Sequence, residues 1–290
     1  MKDRIKERIF LVGCPRSGTT LLQSLLAANS KVLSFPETHF FGHLFYSRKL
    51  LSILGIANWR ARLRWVQFLK EIGHQEMQSK LPKYAVFVRQ FSKAYIDVLD
   101  TLTLNQGKEI WVEKTPGNLH YIEKIEKLVS SAKFVHIIRN GTDVVASLYE
   151  VTNEYPEVWG ENGWSVEQCI SRWIQDIQLS LSYSSKENHT LVSYEKLVAE
   201  PRPVLMSLCK SINISFEEQM ISNYPQVSKQ VILENEPWKA FTGQPIKARH
   251  NIKFQTLFDK DQRQYILDRL SDYTSLDMAV ENKKFCNTSK

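Results

Sequence analysis

The chain has 290 residues, 43% of them hydrophobic and 24% charged, which fits one large α/β domain or two small ones and excludes a disordered or fibrous protein. Its formal net charge of +7 comes without the dense Lys/Arg run of a nucleic-acid-binding arm, so it reads as a lysine-rich surface or as attraction for an anionic ligand. Cys14, Cys169, Cys209 and Cys286 lie far apart with no Cys-x-x-Cys pair, which argues against a zinc site, a redox pair or a disulfide framework.

Met1 to Arg8 is charged and has no apolar h-region, and no apolar run reaches the roughly 18 residues of a membrane span. The expected place is cytoplasmic for a complete natural chain, and open for an excised catalytic domain. Ile9 to Cys14 then reads as a buried parallel strand, and Thr19 to Ala28 as a helix with Leu21, Leu22, Leu25 and Leu26 on one stripe. Lys31 to Phe35 reads as a second strand, ended by Pro36. From His39 to about Asn105 the pattern is helical, aromatic and basic, a helical insertion or lid. Ile110 to Glu113 is a third strand, followed by a helix over about Asn118 to Ser130. Lys133 to Ile138 is a fourth, with a helix from about Thr142, and Thr190 to Ser193 a fifth, with a helix over about Pro201 to Ile212. Asn235 to Asn251 is loop-like, a charged helix spans about Asp259 to Leu270, and Glu281 to Lys290 is polar and frayed. Strands alternating with helices predict an α/β fold. The expected form is a P-loop-type parallel sheet flanked by helices, with the helical insertion after the second strand, residues 1–290 forming one domain.

Gly13-Cys14-Pro15-Arg16-Ser17-Gly18-Thr19-Thr20 lies between the first strand and the first helix. Backbone N–H groups and the positive end of a helix dipole can hold an anion there. The spacing is that of a nucleoside-triphosphate loop, except that Thr19 stands where its lysine belongs, which argues against triphosphate hydrolysis. Arg16 can supply the positive charge instead, as a planar fork. A ligand-free strand-to-helix turn is the alternative, disfavoured by a cation, three hydroxyls and a glycine gathered before one helix.

A second cluster, Arg139 to Ser147, follows the fourth strand, with Arg139 at the carboxyl end of that strand and Ser147 about two turns into the next helix. Ligands of open α/β sheets bind outside these strand ends. Taken by itself the stretch fits equally a surface turn. Two anion sites, after the first and fourth strands, suit a ligand with two separated phosphates.

With these residues in view the chain resembles the sulfotransferases that use 3′-phosphoadenosine-5′-phosphosulfate (PAPS), in the branch of bacterial and tyrosylprotein sulfotransferases. The resemblance is carried by Pro15-Arg16-Ser17-Gly18-Thr19-Thr20-Leu21-Leu22, Pro36-Glu37-Thr38-His39, Glu113-Lys114-Thr115-Pro116, Arg139 to Ser147, and Ser193-Tyr194-Glu195-Lys196-Leu197 with Pro201, in family order over about 190 residues. It implies that the first loop holds the 5′-phosphosulfate, that Arg139 and Ser147 hold the 3′-phosphate, and that Tyr194 lies near the nucleotide. Trp238-Lys239 and Gln244-Pro245-Ile246 loosely resemble a family loop that closes over the donor.

The implied reaction moves a sulfuryl group from PAPS to an acceptor hydroxyl or amine, leaving PAP. Fixed cations suffice and no metal is expected. Arg16 and Lys114 are the candidate cations. Glu37 is the candidate base, by likeness to the tyrosylprotein branch, with His39 its rival and a helix-start carboxylate the bland alternative. Lys114 has its own bland alternative, a surface lysine ending a strand, and His136 reads as a core histidine. The acceptor is open among a phenol, a sugar, and a lipid-linked or carrier-bound hydroxyl. Two rivals stand: a kinase-like phosphotransferase on the same fold, opposed by Thr19, and a non-enzymatic polyanion-binding module, which predicts steep salt dependence without turnover.

Overall fold

The structure, a computed structural model, describes residues 4–46, 49–159, 162–231, 246 and 251–273. Five parallel strands, β1 (Glu7–Gly13), β2 (Val32–Phe35), β3 (Ile110–Lys114), β4 (Ala132–Ile138) and β5 (His189–Ser193), form one sheet in the order β2-β3-β1-β4-β5. The strands bury both faces. In β1, Ile9 and Leu11 point to one side and Phe10 and Val12 to the other, as the two-residue period requires.

Helix α1 (Thr19–Ala27) covers the first face together with α11 (Pro201–Ser211), α12 (Gln219–Ser222) and α13 (Tyr224–Val231). Leu22, Leu25 and Leu26 of α1 are fully buried there. Gln23 donates to Phe35 O and to Ser34 Oγ, both at 2.9 Å, fixing α1 against the end of β2. The other face is covered by residues after β2, namely α2 (Phe40–Leu44), α4 (Arg60–Glu71) and α5 (Val88–Asn105), while the short α3 (Lys49–Ile53) lies outside that core. An aromatic core joins them to the sheet. Phe10 meets Phe134, Phe41 and Trp111 at ring distances of 5.5, 5.9 and 5.3 Å, and Phe40 stacks on Tyr95 at 4.2 Å. Each fully buried ring of this kind contributes about 1.5–3 kcal/mol relative to exposure.

The helix expected over Asn118–Ser130 is divided. A 3-10 turn, Pro116–Tyr121, comes first and α6 (Ile122–Leu128) follows. Pro116 suits the first position of a turn, and Asn118 N–H closes back on Thr115 O at 2.9 Å while its amide is drawn to Glu113. Helices α7 (Gly141–Glu154), α8 (Pro156–Trp159) and α9 (Val166–Ser182) follow β4, and α10 (Tyr194–Ala199) follows β5. Helices α14 (Ile252–Leu257) and α15 (Lys260–Leu270) pack on α7 and α9, where Phe254, Phe258, Ile266 and Leu270 are buried with Val144, Ile170 and Trp173. His136 is fully buried, its Nε2 2.8 Å from Nδ1 of His189.

Register brings the carboxyl ends of the strands to one edge. Lys114 pairs with Leu11, Phe35 with Glu113, and Gly13 with Ile137. The chain crosses from β1 to either side, so the segments after β1, β2, β3 and β4 converge at the switch point of the strand order.

Candidate active site

The segment from Gly13 to Gly18 is shaped by backbone that side chains resist. Gly13 has φ 148°, and a Cβ there would lie 2.6 Å from Ile137 O. Gly18 has φ 92°, and a Cβ there would lie 2.4 Å from the Tyr194 ring. Arg16 itself sits at φ 71°, one of five non-glycine residues at positive φ among those described. Such a conformation costs on the order of 1 kcal/mol or more and persists where the surroundings impose it. Gly18 caps α1 and no side chain bonds into the first turn, so the leading N–H groups of the helix face the loop. Ser17 Oγ is buried in the loop with no partner among the described residues.

The second cluster closes on this loop. Asn140 caps α7 by accepting from Thr142 N–H. Arg139 donates to the carbonyl of Arg16 at 3.3 Å, pairs with Asp143 at 3.4 Å, and lies over the Tyr194 ring at 4.3 Å. Its Nε is buried without a partner among the described residues. Ser147 does not bond Arg139. It accepts from Arg16 Nε at 3.1 Å, one turn deeper along α7. Burial lowers the pKa of Arg16, with Glu150 and Glu37 opposing and Arg139 adding; a guanidinium in a protein nonetheless keeps its proton. Glu195 accepts from Asn140 N–H at 2.9 Å, so α10, the Tyr194 ring and the start of α7 are held together. On the other side Asn251 N–H donates to Asp143 at 2.8 Å, which brings the chain back to this cluster. Trp238, Lys239, Gln244 and Pro245 lie outside the described residues; Ile246 packs on the α1 side of the sheet.

Glu37 is not a helix-start carboxylate. Helix α2 begins at Phe40, and the Glu37 carboxylate instead accepts from Lys114 Nζ, with His39 Nε2 3.5 Å from its other oxygen. Lys114 is not a surface lysine either: it is 1% exposed. His39 is half exposed and holds φ 50°. A buried scaffold fixes this loop. Glu113, fully buried, accepts from Thr38 Oγ1 at 2.8 Å, from Thr115 Oγ1, and from Asn118 at 2.7 Å. Burial raises its pKa, against hydrogen bonds from Thr115 and Thr38. Tyr95 OH donates to Thr38 at 2.9 Å, and Arg64 of α4 donates to Thr38 O at 2.5 Å and to Glu37 O at 3.1 Å. The carboxylate is therefore placed by a network reaching into α4 and α5.

One group at this edge escaped sequence reading. Asp176 of α9 is fully buried, 2.7 Å from Arg172 and 2.8 Å from His120, and the Cys14 thiol bonds to it. Burial first, then Asp176, pushes the Cys14 thiol well up, which leaves it unreactive. The only linear signal was the Arg172–Asp176 spacing, which also describes an ordinary surface pair. Among the described residues no group of His, Cys, Asp and Glu side chains is arranged to hold a metal ion, and no helix is long and apolar enough to cross a membrane.

A parallel sheet whose phosphate-type loop and converging strand ends carry Arg16, Lys114 and Arg139 is the architecture of the P-loop-type sulfotransferase fold. A model described as the sulfotransferase family matches residues 8–218, and the chain belongs to that family. It is 23% identical to protein-tyrosine sulfotransferase A of Caenorhabditis elegans over 80% of its own length, and spans 57% of the length of that relative. Its fold matches the sulfotransferase domain of the Synechococcus PCC 7002 olefin synthase with a TM-score of 0.61, 18% identity and coverage of 93% and 96% of the two chains. A mouse sulfotransferase complexed with PAP gives a TM-score of 0.50 at 11% identity, with 96% and 89% covered.

Proposed function

We propose that this sulfotransferase moves the sulfuryl group of PAPS to an acceptor hydroxyl or amine by in-line displacement, with Glu37 as general base and Arg16 and Lys114 stabilising the transferring group. The observation that carries the reading is the meeting of Glu37 and Lys114 at the sheet edge that also bears the Arg16 loop. The buried, unpartnered Ser17 Oγ and Arg139 Nε fit a ligand with two phosphates, one at each cluster. The mouse relative holds PAP, which supports the same donor here.

PAPS supplies an activated sulfuryl group on a phosphate leaving group. Arg16, Ser17, Gly18, Thr19 and Thr20 bind its 5′ end through backbone N–H groups, hydroxyls and the guanidinium, and Pro15, which has no N–H to donate, shapes the turn that presents them. Arg139 takes the 3′-phosphate and Tyr194 flanks the nucleotide. Ser147 donates its hydroxyl proton to the same 3′-phosphate while its oxygen accepts from Arg16 Nε at 3.1 Å. Lys114 is poised between its Glu37 partner and the sulfuryl oxygens, where a desolvated ammonium stabilises developing charge strongly. Glu37 accepts the acceptor proton, held in position by Arg64 and the Thr38–Glu113 network. Residues 39–105 border the acceptor side, and the whole described chain works as one domain around this edge.

The test is label transfer from radiolabelled PAPS to a panel holding a tyrosine peptide, a phenol, a sugar, a lipid-linked hydroxyl, a carrier-bound hydroxyl and an amine, with ATP and Mg²⁺ as control donor. Transfer to at least one acceptor is expected. Absence of transfer together with absence of PAP binding by calorimetry overturns the reading.

A further inference from the structure

The segment after β2 holds a surface that the proposed reaction does not use. Fifteen large hydrophobic side chains stand exposed among the described residues, and nine of them fall between positions 50 and 87. Single exposed apolar residues are ordinary, but a concentrated set marks an interaction face. Leu50, Ile53, Trp59, Leu63, Tyr84 and Phe87 are between 54% and 81% exposed.

The fold makes these residues neighbours. Ile56 and Phe87 form an antiparallel bridge, Ala57 N–H donates to Val86 O and Val88 N–H to Gly55 O, both at 2.8 Å. The chain that follows Leu50 and Ile53 of α3 is thereby tied to the segment that holds Val86 and Phe87. Arg62 donates to Pro82 O at 3.0 Å, which ties the start of α4, bearing Leu63, to the segment that carries Tyr84. Helix α4 has two working sides. Ala61, Trp65, Phe68 and Leu69 enter the core, and Leu63 and Val66 face outward.

Charge names the partner. Residues 50–87 contain six Lys and Arg against Glu71 and Glu76, a net +4, and five of the six cations remain when Arg64, which faces inward, is set aside. The cations are interleaved with the exposed rings: Arg60 lies 5.8 Å from the Trp59 ring and Lys83 lies 5.5 Å from that of Tyr84. Aromatic and aliphatic side chains flanked by long cations form the composition that settles into a lipid headgroup region, the cations reaching the phosphates as the rings enter the acyl boundary. We infer that this outer face of residues 50–87 docks the protein on an anionic lipid surface. The same helix links dock to site, because Arg64, on the inner side of α4, holds the backbone of Glu37 and Thr38. A docked molecule carries its candidate base close behind the membrane contact.

The full chain is sedimented with vesicles of phosphatidylcholine alone and with about 30% phosphatidylglycerol. Binding to the anionic vesicles is expected to be about tenfold stronger or more and to fall steeply as salt is raised. Trp59→Ser/Leu63→Ser/Phe87→Ser should melt at the wild-type temperature, since these side chains are exposed, yet lose about tenfold in vesicle affinity. Arg60→Glu/Lys83→Glu, which leaves the apolar set intact, should abolish the preference for anionic lipid. Failure to bind either vesicle overturns the inference, as does equal binding to both or full binding by the two variants. So does a dimer in gel filtration that the triple variant splits, which assigns the face to a second copy.

Discussion

Glu37 and His39 lie two residues apart, and the His39 imidazole is 3.5 Å from the carboxylate that Lys114 holds. Their roles are separable because Glu37→Gln keeps the shape and removes the proton acceptor. PAP binding in that variant should be near wild type, since the proposed donor contacts are Arg16, Arg139 and the loop backbone, and turnover should fall by roughly 10²–10⁴. The acid limb of the pH–rate profile should vanish with it. His39→Asn should lose less; a dead His39→Asn beside an active Glu37→Gln would transfer the role of base to the imidazole. Arg16→Ala and Lys114→Ala should each cost on the order of 10²–10³ in rate with the fold intact by circular dichroism. Wild-type turnover in either removes that residue from the mechanism. Arg139→Ala should weaken PAP by about 2 kcal/mol more than an analogue lacking the 3′-phosphate. Equal losses by calorimetry would contradict the division between the two anion clusters.

Among the elements, the turn before α1 is the most constrained. Gly18 lies under the Tyr194 ring, and that ring carries the Arg139 guanidinium on its π system. The first loop and the second cluster are thus joined through one aromatic side chain from α10. Gly18→Ala must displace that ring and also hold φ 92°, at a combined cost of about 1–3 kcal/mol in thermal unfolding. In a Tyr194→Ala background the steric part is gone and only the backbone part remains. The two substitutions should therefore combine to less than the sum of their separate effects. Additive losses would mean that Tyr194 does not restrain the loop.

Across the whole molecule, acid stability offers a check at a distance from the site. Glu126 of α6 joins three groups of the β5 region: Lys186 at 2.8 Å, Asn188 at 3.0 Å and His189 at 3.1 Å. Burial works against its ionisation, but these hydrogen bonds prevail and bring its pKa down to about 2. An unfolded Glu titrates near about 4.3. A depressed carboxylate contributes stability that is present above the unfolded value and lost as pH falls through the folded one. Wild type should therefore melt above Glu126→Gln at neutral pH, and the gap should close between about pH 5 and about pH 2. A gap unchanged over that window would show that the carboxylate charge contributes nothing there.

The sequence by itself determined the alternation of five strands with helices, because fully buried parallel strands must be short apolar runs and the covering helices must be striped. It also marked Arg16, Lys114 and Arg139 at strand ends within runs of turn-forming or hydroxyl residues, and Glu37 through its likeness to a family motif. It carried the family as well, through the order of those runs. The tertiary structure decided the strand order β2-β3-β1-β4-β5, and with it the meeting of the four strand ends. Only then do Glu37 and Lys114 touch across 77 positions, and Arg16 and Ser147 across 131. Long-range pairs leave no local period to read. The burial of Lys114, which sets it apart from a surface lysine, follows from packing around the end of β3. Asp176 shows the same limit, its partners coming from the 3-10 turn after β3 and from the loop after β1. Local chemistry is written along the chain, whereas a site at a sheet edge is made by segments distant in sequence, and closing them on one another is the work of the whole core.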